Sequence, residues 1–176
     1  MLSMLVNKFP EVMNIIKQHL IAIVKESERR YNAPPGSFWY RFFKMDDTII
    51  SGGTARTWEQ TFTTADEEEI VAGTAAIAVP VSNTVAIFGW YCDFDPFAPG
   101  YARIAKNGVT KWEMPLRMIY EQANPKHLYI DLDTVIVGYQ QDKLDVFTYQ
   151  ETGGNQIGLS LPFMFRIASK SMLNLD

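Results

Sequence analysis

Between residues 11 and 30 the apolar positions follow a helical period. Val12, Met13, Ile16, Leu20, Ile23 and Val24 share one face, and Asn14, Lys17, Gln18 and Lys25 lie opposite. Pro10 suits a first helical turn, and Arg29 and Arg30 complement the dipole in the last. Pro34-Pro35-Gly36 closes the segment. Such a helix has three uses: packing on its own domain, reaching a neighbouring subunit, or lying on a membrane surface. Val12, Ile16, Leu20 and Ile23 are the side chains that would make that interface.

After Gly36 the period changes to that of strands. Residues 57–64 alternate Trp58, Gln60 and Phe62 against Glu59, Thr61 and Thr63. The acidic run 66–69 reads as a solvated turn. Residues 70–92 then carry no charged side chain. That is long enough to span a bilayer as a helix, which takes about 20 apolar residues. Pro80 and Ser82-Asn83-Thr84 interrupt it, and its halves are rich in Val, Ile and aromatics. The expectation is two buried strands joined by a tight turn, at the centre of a sandwich.

Residues 101–106 and 109–114 flank Asn107-Gly108, the pair that a two-residue hairpin turn of positive φ prefers. Residues 116–122 fit a short helix or a strand equally. Residues 127–139 and 143–150 read as strands with a turn between them. In the last strand Ile157, Leu159, Leu161, Phe163, Phe165 and Ile167 alternate with Gly158, Ser160, Pro162, Met164 and Arg166. Pro162 lacks an N–H, so this strand is expected at a sheet edge or with a bulge. The tail from Ser169 reads as frayed or docked on a partner. The expected fold is mainly β: an antiparallel β-sandwich of about eight strands, jelly-roll-like, with one N-terminal amphipathic helix. Residues 1–36 are the helix and its Pro-rich linker, and residues 37–176 the sandwich domain.

Composition narrows the function. The apolar share of 47 % supports a core without disulfides or metals, and Cys92 is the one cysteine. A net charge of −4 argues against a nucleic-acid partner held by bulk electrostatics. Neither a signal-peptide pattern nor a transmembrane segment is read. His19 and His127 are far apart, and no nucleophile or phosphate-loop motif is present. No cofactor and no catalytic residue are assigned. Asp93 with Asp95, and Asp131 with Asp133, are spaced to share a strand face, which makes them weak calcium or acid/base candidates. Trp39, Trp58, Trp90, Tyr91 and Trp112 are candidates for a ligand platform, although core packing is their ordinary use.

An acidic, cysteine-poor, aromatic-rich sandwich behind an apolar helix resembles the single-jelly-roll capsid proteins of icosahedral viruses. The likeness covers residues 37–169 and rests on the strand succession that ends at residues 156–168. It implies a structural protein that self-assembles into a shell, alone or with other coat proteins, located in the virion, or in the cytoplasm before assembly. The helix would then contact a neighbour or an internal membrane. A carbohydrate- or receptor-binding module using exposed aromatics is the alternative, and a glycosidase-like enzyme using paired carboxylates is the third.

Overall fold

The computed structural model describes residues 10–42, 59–62, 66–69, 77–93, 100–122, 128–150 and 156–175. Helix α1 runs Pro10–Arg30. The backbone then turns through Asn32 (φ 51°) and Gly36 (φ 79°). The Tyr31 N–H donates to Ser27 O (3.0 Å) and the Ala33 N–H to Glu28 O (2.9 Å), so two carbonyls of the last turn are satisfied. Glu28 Oε1 accepts from the Phe38 N–H at 3.0 Å, fixing how the chain leaves the helix for the first strand.

Eleven strand segments follow among the described residues. They are β1 (Phe38–Phe42), β2 (Glu59–Phe62), β3 (Asp66–Glu69), β4 (Ile77–Ala78), β5 (Thr84–Asp93) and β6 (Gly100–Lys106). After them come β7 (Val109–Pro115), β8 (Leu128–Ile130), β9 (Ile136–Gly138), β10 (Lys143–Gln150) and β11 (Gln156–Ser169). Helix α2 (Leu116–Gln122) lies between β7 and β8, and a 3₁₀ turn, Ser171–Leu173, follows β11.

Three pairs of segments share a lane. β1 and β2 both pair β11, β3 and β4 both pair β10, and β8 and β9 both pair β5. Eleven segments therefore make eight lanes, four in each antiparallel sheet. Numbered along the chain, the first sheet has the lane order 1-8-3-6 and the second 2-7-4-5. That is jelly-roll winding, and it agrees with the fold expected from the sequence.

The sheets pack face to face. Val85, Ile87, Trp90, Ile136 and Met164 of the first meet Ile77, Ala102, Ile104, Trp112, Leu144 and Val146 of the second. The other face of the first sheet, with Phe38, Ala86, Phe88, Phe163, Phe165 and Ile167, lies under α1. The molecule is thus three layers, helix on sheet on sheet.

Several local expectations change. The acidic run 66–69 is a strand, not a turn: Glu69 to Asp66 pair Phe147 to Gln150. It forms the edge of its sheet, where charged residues discourage pairing with a foreign strand. The strand expected over 127–139 is split into β8 and β9. Asp131 Oδ1 accepts the N–H groups of Asp133 and Thr134, each at 3.0 Å, and this side-chain turn displaces the ladder. Residues 116–122 are helical, because Leu116 and Ile119, three apart, both reach the inter-sheet core.

β11 lies between β5 and the β1/β2 lane, so Pro162 is not on a sheet edge. Nor does β11 carry the bulge: Phe163 pairs Gly89 and Met164 pairs Ile87, so the extra residue is Phe88 of the neighbouring strand β5. The tail is not frayed. Leu173 is fully buried, and its carbonyl accepts from Arg41 Nε at 3.0 Å. Of the uncharged stretch 70–92, residues 70–76 lie outside the described set. The turn over Pro80 to Asn83 leads from β4 in one sheet to β5 in the other.

Candidate functional site: the outer face of the second sheet

β10 alternates strictly. Leu144, Val146 and Thr148 are buried toward the first sheet, so Asp145, Phe147 and Tyr149, each half-buried, take the outer face. β6 does the same: Ala102 and Ile104 point inward, Tyr101 and Arg103 outward. The register sets Tyr101 opposite Tyr149 and Arg103 opposite Phe147. The two tyrosine rings stack, 4.8 Å between centroids and 25° apart. The Arg103 guanidinium lies 4.6 Å from the centre of the Phe147 ring. On the next lane exposed Glu113 stands opposite Arg103 in register. These cross-strand pairs make a flat, preorganised surface of aromatic and charged groups.

Two polar clusters elsewhere hold the layers together. Behind α1, Ser27 Oγ bonds Thr84 Oγ1 (2.8 Å). The Tyr31 hydroxyl donates to Asn83 O and accepts the Gln140 N–H (2.9 Å). Arg166 Nε donates to Asn83 Oδ1 at 2.8 Å. At the same end Lys106 Nζ meets Asp142 Oδ2 and Val137 O, both at 2.8 Å, so a lysine of the second sheet grips the first. Burial alone would raise the Asp142 carboxyl. The hydrogen bonds from Lys106, Asn107 and the Tyr139 N–H outweigh it and hold the group below its ordinary value. The Arg30 guanidinium lies 4.1 Å from the centre of the Tyr139 ring. Burial pushes the Tyr139 phenol up, against the pull of Arg30.

The residues singled out from the sequence do not converge. Trp90 (0 % exposed) and Trp112 (8 %) stack on each other inside the inter-sheet core, 5.9 Å between centroids, and so cannot floor a binding platform. Trp39 is 52 % exposed on the β1 edge, with Lys170 Nζ 5.8 Å from the centre of its ring. Tyr91 is half-buried in β5. Trp58, Asp95 and His127 lie outside the described residues. Asp93 ends β5. Asp131 and Asp133 do not share a strand face, because Asp131 is spent on the turn that contains Asp133. Among the described residues no three His, Cys, Asp or Glu side chains gather where they would hold a metal ion.

Val12, Ile16, Leu20 and Ile23 form an interface, but with the chain's own first sheet, where Ile16 and Leu20 are fully covered. Among the described residues no helix is long and apolar enough to cross a membrane.

Sequence reasoning missed Tyr101, Arg103, Phe147 and Tyr149. The signal was present in residues 143–150, where Phe147 and Tyr149 alternate with the buried Val146 and Thr148. A strand apolar on both faces has a second surface to account for. No protein-family model and no curated protein matches this chain.

Proposed function

We propose that the chain is a structural, self-assembling protein, a coat or virion component that works through contacts between copies of itself and with other coat proteins. The lane order 1-8-3-6 over 2-7-4-5 carries this reading, because it is the winding that single-jelly-roll coat subunits use. Two further observations support it. The buried polar groups Ser27, Asn83, Thr84 and Arg166 are engaged with one another, in the manner of groups that rigidify a scaffold. The outer face of the second sheet carries Tyr, Phe and Arg, residue types that anchor protein contacts.

The sugar-binding reading is weaker, since the tryptophans that would floor it are packed in the core. Light scattering on the purified full chain at increasing concentration tests the proposal. The expected outcome is mass rising above the 20.1 kDa monomer. A monodisperse monomer at millimolar concentration, in several salt and pH conditions, would overturn it.

A further inference from the structure

We infer that Asn107 is a modification site, where the side-chain amide converts to a carboxylate by reaction with the chain's own backbone. The fold holds that reaction in check, and conversion unties the end of the molecule where the two sheets are joined.

The chemistry comes from the sequence. Asn107-Gly108 is the one Asn-Gly step in the chain. The backbone nitrogen that follows an asparagine can attack the side-chain Cγ. A five-membered imide forms, the Cγ–Nδ2 bond breaks, and ammonia leaves with the proton of the attacking nitrogen. Water then opens the ring at either carbonyl, giving aspartate or its β-linked isomer. Water is the only co-reactant. Glycine leaves the nitrogen least hindered, because it has no Cβ. Both residues are exposed at the tip of the β6–β7 hairpin, within reach of that water.

The structure supplies the restraint. Asn107 Nδ2 donates to Asp142 Oδ1 at 2.8 Å, and Asn107 Oδ1 accepts the Lys143 N–H at 2.8 Å. The Asn107 N–H donates to Lys143 O at 2.9 Å. The amide is thus clamped to a turn 35 positions further on. It cannot swing onto the Gly108 nitrogen until that turn lets go. Letting go breaks two side-chain hydrogen bonds, and the one to a carboxylate is stronger than a neutral pair.

The same contacts make conversion costly to the fold. Asp142 Oδ2 is occupied by Lys106 Nζ and by the Tyr139 N–H, both at 2.8 Å, while Oδ1 has Asn107 as its donor. An aspartate at position 107 removes that donor and sets a second carboxylate against Asp142, where like charges at hydrogen-bond distance oppose each other. The β-linked isomer adds an atom to the backbone of a two-residue turn, which disturbs the Lys106–Val109 pairing beside it. Either product loosens the grip of Lys106 on Val137 O of the first sheet. The reaction runs one way, so a chain that has opened at this end keeps a mark that refolding does not erase.

Two experiments on the full chain test this. The protein is held in mildly alkaline buffer, folded and in urea, and mass spectrometry after digestion separates the asparagine, aspartate and β-linked forms of the peptide holding residue 107. Conversion is expected to be at least about 10-fold slower in the folded protein, since the two hydrogen bonds must open first. Asp142→Ala is expected to speed it without urea. Equal rates folded and unfolded, or folded Asp142→Ala protein converting no faster than the unaltered chain, would overturn the inference. The cost of conversion is read from urea midpoints of Asn107→Asp, alone and combined with Asp142→Asn. In the double variant amide and carboxylate change places, so the same hydrogen bond forms with its ends exchanged. Asn107→Asp is expected to lower the folding equilibrium constant at least about 3-fold in the unaltered background and to cost nothing in the Asp142→Asn background. An equal cost in both backgrounds would mean that the two side chains are not coupled and that conversion does not untie this end.

Discussion

A residue without a side chain sets the shape of the first sheet. A Cβ on Gly89 would lie 2.0 Å from the Tyr129 carbonyl oxygen, which is backbone and cannot swing aside. The bulge residue Phe88 directly precedes Gly89, and the Phe88 carbonyl accepts the Asp131 N–H at 2.8 Å where the β8 lane breaks into its turn. Gly89→Ala is expected to destabilise the fold by on the order of 3 kcal/mol, read as a lower midpoint in urea with the slope unchanged. A drop below about 0.5 kcal/mol would mean that the two backbones are not so close. Nothing in the flanking residues announces this glycine. Gly89 sits in an apolar run beside Trp90, and the constraint comes from a strand 40 positions further on. The turn glycine Gly108 is the opposite case: it and Asn107 both have positive φ (75° and 53°), and adjacency alone identifies the pair.

Among the elements, α1 was the most legible. Its six apolar positions repeat at helical spacing, and all six meet the first sheet. The hairpin at Asn107-Gly108 and the strand Lys143–Gln150 were equally plain, because the turn chemistry or the alternation is local. β3 was hidden: an edge strand needs no apolar alternation, so Asp66 to Glu69 look like a solvated turn until β10 is beside them. The Tyr101, Arg103, Phe147 and Tyr149 face was hidden for a related reason, since its rows join residues more than 40 positions apart. The depth of α1 in the structure leads to a measurable cost. Leu20 is fully buried between the helix and the sheet, and Leu20→Ala is expected to cost about 2–5 kcal/mol in denaturant unfolding. Loss of less than about 1 kcal/mol would mean that the helix is a loose attachment rather than a layer of the fold.

At the scale of the whole molecule, one end is tied across all three layers. Arg30 comes from the helix, Tyr139 directly follows β9 of the first sheet, and Lys106 and Asp142 come from the second sheet and the turn leading into it. Asp142 links this tie to pH. Its folded carboxyl is held below the ordinary value, so its stabilisation is present above about pH 4 and is lost as pH falls through the folded value. Asp142→Asn is expected to flatten the acid limb of a stability-against-pH curve while lowering stability at neutral pH. An acid limb of unchanged slope would remove the carboxylate from this role.

The lane order 1-8-3-6 has a further consequence, for biosynthesis. β11 fills the slot between β5 and the β1/β2 lane, yet it is synthesised after every other described strand. Until then β5 has an open flank, and the nascent polypeptide holds together only the second sheet and isolated pieces of the first. A product terminated before Gln156 therefore has a vacant slot rather than a smaller version of the same fold.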